Sequence, residues 1–254
     1  MTKLHLFKQL SAMSTYEESV RAELIQWQQN MQRNPSAFGR VSSALQRRIN
    51  RLIPRRVHQV VTAAIKQMTR AMLFGAEALN RPAVEDQTLP QRETSVVARI
   101  DFYKRTGAAE GGITGAGGLL LGLADFPLLM SLKMKLLFEI AARYGYTTRD
   151  YRERVFMLYV FQLAFSSQER RQFVYQHIAD WPTHSAQLPD DINQFDWLTF
   201  QQEYRDYIDL VKMAQLIPGI GAAVGIVANY RLIDQLGHTA MNAYRMRWQA
   251  EGKL

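Results

Sequence analysis

The stretch GGITGAGGLLLGLADFP, Gly111 to Pro127, holds six of the chain's fifteen glycines in seventeen residues and ends beside an aspartate. A phosphate-binding loop, a membrane span and a close-packed helix could each use such a run, and choosing among them decides the fold. It does not contain G-x-x-x-x-G-K-[ST] or an in-frame G-x-G-x-x-G. The related run PGIGAAVG, 218–225, gives G-x-G-x-x-x-G. A dinucleotide loop must also follow a β-strand, whereas YIDLVKMAQLI before Pro218 has helical spacing.

A helix accounts for the glycines. Gly111, Gly115, Gly118 and Gly122 are four, three and four residues apart, so on a helix they fall in a strip roughly 60° wide. A bare strip lets a second backbone approach closely and offsets the ~1 kcal/mol that glycine costs in a helix interior relative to alanine. Gly221 and Gly225 repeat the device. These six glycines are the expected helix-packing positions. Ile113–Met130 has a single charge, Asp125, in eighteen residues. A span needs about twenty residues, and an aspartate near its centre is disfavoured by ~2.5–3.5 kcal/mol, so a stable crossing is not favoured. Asp125 reads as the N-cap of a following helix with Pro127 in its first turn, and the hairpin so formed is apolar enough to pack in a bundle or enter an interface.

Working outward, Val20, Leu24, Trp27 and Met31 mark a first helix after the cap candidates Ser14 and Thr15. Val41, Leu45, Ile49 and Leu52 mark a second, and Val57, Val61, Ala64, Met68 and Met72 a third. Residues 83–92 read as a loop, with a short helix from Val96 that Gly107 ends. Leu129, Leu132, Leu136 and Ile140 form the stripe of a helix closed by Gly145, and Lys133, Lys135, Glu139 and Arg143 lie off that stripe. Thr147 and Thr148 are cap candidates for a core helix that is nearly all apolar from Val155 to Phe165. Residues 180–196 read as a surface loop ending at the cap candidate Asp196. Beyond it, Phe200, Tyr204, Ile208 and Val211 resume helical spacing, and the last segment is amphipathic with a basic end. No period-two strand stands out. The expected fold is all-α: a single-domain multi-helix bundle over 1–254 with glycine-rich apolar hairpins, divided into a basic N-terminal part, 14–82, and a core of about 93–250.

Charge divides the chain more sharply than hydropathy does. Residues 1–110 carry seventeen Lys/Arg against nine Asp/Glu, while 111–254 carry fourteen of each. No acidic residue lies between Glu23 and Glu77, where nine cations intervene. Arg47, Arg48, Arg51, Arg55 and Arg56 form the candidate patch for an anionic partner. Without interleaved exposed aromatics or a nucleic-acid motif, lipid or protein ranks above nucleic acid.

With no cysteine, disulfides, thiolate metal sites and thiol nucleophiles are excluded. The five histidines are scattered, with no H-E-x-x-H, and no G-x-S-x-G is present, so no metal, cofactor or catalytic residue is expected. The N-terminus has no signal-peptide core, and a cytosolic, peripheral location is expected.

The residues GGITGAGGLLLGLADFPLLMSLKMKLLFEIAARYGY, then RDYRERVFMLYVFQLAFSS, then DWLTFQQEYRDYIDLVKMAQLIPGIGAAVGIVANYRLIDQLGHTAMNAYRMR resemble the EcsC protein family in order and spacing. INRLIPRRVHQVVTAAIKQMTRAMLFGAEAL is similar to the N-terminal part of its Gram-positive members, which extends the likeness over nearly the whole chain. The resemblance implies a gene family named for its place beside ABC transporter genes linked to secretion and competence, and it carries over no ligand or catalytic residues. Charge and family together point to a non-enzymatic helical protein at the cytosolic membrane face, contacting anionic lipid or a membrane transporter. Two other readings stay open: an enzyme or small-ligand binder with a pocket between the glycine-rich helices, where Asp125 and Tyr144 would act, and nucleic-acid binding through the arginines.

Overall fold

The structure is a computed structural model that describes residues 3–33, 55–74, 81–115, 118–166, 168–196 and 222–254. Among these residues it is all-α. The helices are α1 (Lys3–Gln32), α2 (Arg55–Phe74), α3 (Leu89–Gly115), α4 (Gly118–Arg143), α5 (Tyr151–Phe165), α6 (Gln168–Ala179), α7 (Trp181–Ala186) and α8 (Ala222–Ala250), with a short 3-10 turn at Ile192–Gln194. The expected second helix, the helix through Phe200 to Val211, Gly221, and the arginines at 47, 48 and 51 lie outside the described residues.

At the centre, α3, α4 and α8 pack together, with the most extensive contact between α3 and α8. The α5 helix supplies the heart of the core. Val155, Phe156, Leu158, Val160, Phe161 and Phe165 are inaccessible to solvent, and each such side chain contributes about 1.5–3 kcal/mol on burial. Burial on every side is what an apolar run without a polar face requires. The stripe of α1 is seated on the same core through Val20 and Leu24, with Trp27 and Met31 packed at its edge. The stripe of α2 is seated through Ala64, Met68 and Met72.

Several helix ends differ from the expectation. The α1 helix is continuous from Lys3, so Ser14 and Thr15 are interior. The α3 helix starts at Leu89, inside the expected loop. There Thr88 N–H donates to Gln91 Oε1 at 3.0 Å, one half of a T-x-x-Q capping box. It then runs through Gly107 to Gly115. The α4 helix starts at Gly118 and contains Pro127, so Asp125 is an interior position and not an N-cap. The turn after the proline buries Leu129 and Met130, which offsets the hydrogen bond that the proline removes. Of the four-glycine strip, only the backbone on either side of 116–117 is described. Gly111 and Gly115 lie in the last turns of α3, and Gly118 and Gly122 lie in the first turns of α4.

Gly145 closes α4 as expected. It has φ +88°, its N–H bonds to Ala142 O, and Tyr146 N–H bonds to Ala141 O, the paired bonds of a Schellman motif. The cap of α5 is Asp150, whose side chain accepts from Arg152 N–H, in place of Thr147 or Thr148. Thr148 is buried and accepts from Arg81 N–H. The 180–196 segment is more ordered than a surface loop, because Trp181 is buried against Phe156 and starts α7.

The α3–α8 contact is close because each helix offers a glycine to an isoleucine of the other. A Cβ on Gly107 would lie 2.3 Å from Ile233 Cδ1, and one on Gly237 would lie 2.6 Å from Ile100 Cγ1. Position 107 faces 233 and position 100 faces 237, so the two helices run antiparallel.

Candidate functional site

Among the described residues, several polar clusters interrupt this apolar framework. The first joins the N-terminal helix to the C-terminal one. Glu93, on α3, is 1% exposed. Its carboxylate accepts four bonds: from Tyr16 at 2.7 Å, from Tyr144 at 2.9 Å, and from Arg245 Nε and Nη2 at 2.7 and 2.6 Å. Arg245 Nη1 also reaches Glu23 Oε2 at 3.1 Å. Burial disfavours the Arg245 charge, but the Glu93 bonds and charge outweigh it and hold its pKa above the usual value. Burial and the Glu93 carboxylate push the Tyr144 phenol well up. With both carboxylate oxygens saturated, Glu93 acts as a tie, with no lone pair aimed at a substrate.

The second cluster lies one turn along α8. Glu153 accepts from Tyr244 at 2.6 Å and from Arg247 at 2.5 Å. The Arg247 guanidinium also lies 3.7 Å from the centre of the Tyr146 ring, a cation–π contact. Burial raises the Glu153 pKa against the pull of Arg247 and Tyr244. Tyr244 stacks on both Tyr144 and Tyr146, and Trp248 Nε1 donates to Tyr144 O at 3.0 Å. Tyr144, a candidate functional residue, is thus engaged on every side by core partners. Asp125 lies in the α4 backbone, and its side chain is outside the described residues.

The third group consists of two separate buried polar side chains, Lys133 on α4 and Asn229 on α8. Lys133, expected off the buried stripe, is inaccessible to solvent, and its Nζ reaches Leu129 O at 3.4 Å. Burial, only partly offset by Glu110, lowers its pKa to about 7. Asn229 is also inaccessible, and neither its Nδ2 nor its Oδ1 has a hydrogen-bond partner among the described residues.

The fourth is an open groove of about 420 Å³ whose lining includes Arg81, Gln87, Ser95, Arg99, Glu139 and Arg143. Arg99 donates Nε and Nη2 to Glu139 at 2.5 and 3.0 Å. Tyr103 donates to the same carboxylate at 2.9 Å, and Arg143 Nη1 lies 3.2 Å from it. Burial works against ionisation of Glu139, yet these donors hold its pKa below the usual value. Arg143 Nε donates to Ser95 Oγ at 2.8 Å. Nearby, Arg92 donates to the carbonyls of Val84 and Arg143 at 2.5 and 2.6 Å, covering the negative end of α4.

Among the described residues, no group of three or more His, Cys, Asp or Glu could hold a metal. The nearest approach to one, His177 and His184 beside Tyr159, supplies two rings. No helix of the described residues is long and apolar enough to cross a membrane.

The candidate patch is described only in part: Arg55 and Arg56 lie in the first turn of α2. That helix has no Asp or Glu, and its face away from the core exposes Lys66 and Arg70.

Sequence reading did not single out Glu93, Glu153 or Arg245. No local signal marks them: Glu153 sits between Arg152 and Arg154 and reads as part of a solvated charged run. The partners come from residues far along the chain, which no local spacing reveals.

Similarity to known proteins covers most of the chain. A model of the EcsC protein family matches residues 18–248. Protein EcsC of Bacillus subtilis is 42% identical over 234 residues, covering 92% of this chain and 96% of that protein. YdbA of the same organism is 29% identical over 145 residues, 56% of this chain and 53% of that one. No solved structure matches. With the match running from within α1 to the end of α8, through the glycine hairpin and both arginine–glutamate ties, the chain belongs to the EcsC protein family.

Proposed function

We propose that this chain is a non-enzymatic helical scaffold that docks on an anionic membrane surface at the cytosolic face through its basic N-terminal part. The observation that carries the reading is α2. Its apolar stripe is committed to the core, its outer face carries cations with no acidic residue in the helix, and the surrounding sequence from 24 to 76 has none either. A one-sign surface of this kind gains about 1 kcal/mol per Lys or Arg near anionic headgroups and weakens as salt screens it. The finer form of the proposal makes the chain an accessory of an ABC transporter or secretion system, held beside it by lipid or protein contacts.

Co-sedimentation with phosphatidylglycerol vesicles at low and high salt tests the docking. Wild type is expected to sediment at low salt and to be released at high salt. Lys66→Glu with Arg70→Glu should weaken retention at least tenfold. Absence of sedimentation at either salt, or an unchanged double variant, sinks the lipid version.

A further inference from the structure

We propose that the end of the bundle where α3 passes into α4 and α8 begins enters the headgroup region of an anionic bilayer. Leu128, Val227 and Tyr230 are its apolar contacts, and Arg105, Lys135 and Arg231 are the cations that meet the phosphates. The proposal rests on the membrane reading above for its partner, but it uses none of the α2 residues.

Helix lengths create this end. The α3 and α4 helices pack side by side, with Arg143 on Ser95 and Tyr103 on Glu139, so they run antiparallel. Two residues separate Gly115 from Gly118 in sequence. Because α8 is antiparallel to α3, its N-terminus shares that end. The α5 helix stops short of it. Its Ala164 O accepts from Gln235 at 2.6 Å, and it finishes at Phe165. Ala222 lies thirteen residues before Gln235, so α8 continues about 20 Å past the end of α5.

The chain makes the end apolar. Asp125 is the one charge between Glu110 and Lys133, and no charge lies between Lys212 and Arg231. Leu128, Val227 and Tyr230 are 51%, 49% and 42% exposed. Exposed apolar residues are ordinary when scattered singly. Here they stand on two neighbouring helices, at the end where charge is missing.

Charge then returns in the same order on each helix. On α4, Lys135 lies seven residues behind Leu128, and on α8, Arg231 follows Tyr230 and lies four residues behind Val227. On α3, Arg105 lies ten residues before Gly115. All three cations are exposed, and none is paired with an acid among the described residues. Lys104 differs, being held by Asp101 and Asp234 at 3.1 and 2.7 Å, with its Nζ 4.6 Å from the centre of the Tyr230 ring. Apolar side chains, then a tyrosine, then cations form the polarity profile of a bilayer interface. Cations on all three helices suit a planar anionic surface that surrounds the end, where a protein partner would cover one side. They also set the depth. Entry stops when Lys135 and Arg231 reach the phosphates, about 6–10 Å behind the apolar contacts.

Because the chain has no cysteine, single reporters test the proposal. Leu128→Cys, Val227→Cys and, in the last turn of α8, Gln249→Cys are each labelled with the fluorophore NBD. They are then mixed with phosphatidylglycerol vesicles that hold or lack a lipid with a nitroxide near the headgroup end of its acyl chain. Blue-shifted emission and nitroxide quenching are expected at 128 and 227, with water-like emission at 249. Replacing Arg105, Lys135 and Arg231 together by Glu, at exposed positions that leave the core intact, should weaken vesicle retention about tenfold or more. Lys66→Glu with Arg70→Glu separates the two surfaces. If that variant loses no retention and keeps the 128 and 227 shifts, docking through α2 fails and entry of this end stands. Sedimentation of the full chain with water-like emission at both 128 and 227 overturns this proposal alone, and absence of sedimentation overturns both.

Discussion

At the scale of the residue, Lys133 makes the clearest demand. A lysine whose folded-state pKa lies near 7, against about 10.4 when solvated, binds fewer protons folded than unfolded between those values. Stability must therefore rise with pH across that window, with a slope approaching about 1.4 kcal/mol per pH unit. Buried tyrosines act the other way at higher pH. Burial raises the folded pKa of Tyr144 and Tyr244, so their contribution is lost once the unfolded phenols begin to ionise near pH 10. Urea unfolding between pH 7 and 9.5 is expected to show rising stability in wild type. Lys133→Met should be more stable at pH 7 and flatter across the range, and equal slopes would refute the assignment. The residue was visible in LLMSLKMKLLF, but a spacing argument sees only that a position is off one stripe. A helix packed on several sides has no free face for such a position.

At the scale of the element, the legible and illegible parts separate by range. The α5 helix was readable because eleven consecutive residues from Val155 to Phe165 offer no polar face, and Gly145 was readable because a C-terminal cap is local chemistry. Gly107 was misread as a stop, since a lone glycine near charged residues resembles a helix end. Its reason for being small, Ile233, lies more than a hundred residues away. The interlock at Gly107 and Gly237 makes a graded prediction. Alanine gains about 1 kcal/mol of helix propensity at either site, against the ~1–3 kcal/mol cost of overpacking. At position 107 the new methyl meets only the mobile end of Ile233. At 237 it meets Cγ1, Cδ1 and Cγ2 of Ile100, where a β-branched side chain has little freedom. Thermal melts should show Gly237→Ala destabilised more than Gly107→Ala. Ile100→Ala should lose less stability in the Gly237→Ala background than in wild type. Additive losses would argue against the interlock.

At the scale of the whole molecule, the bundle is joined by charges whose partners are far apart in sequence, and this part was not legible. Composition showed that residues 111–254 balance their charges, but not that Arg245 would pair with Glu93. Removing the Glu93 charge leaves a guanidinium without its buried counter-ion, a change that costs on the order of 3 kcal/mol. Removing Glu23, whose side chain is 65% exposed, should cost less than about 1 kcal/mol. Chemical denaturation of Glu93→Gln and Glu23→Gln should reproduce that difference, and similar losses would show that Glu93 is not the principal partner. The same reach explains why the all-α class, which rests on local period, was readable while the candidate sites, which rest on tertiary pairing, were not.

That tie also sets an order of events during synthesis. Glu93, Tyr16 and Tyr144 all precede Arg245 in the chain, so the nascent protein holds a carboxylate in an unfinished core until α8 leaves the ribosome. At about 5–20 residues per second, the wait from Glu93 to Arg245 is about 8–30 s. Through that interval Ile100 and Gly107 lack the helix they interlock with, and the seam of α3 that α8 will cover stands open to whatever else the cytosol offers it.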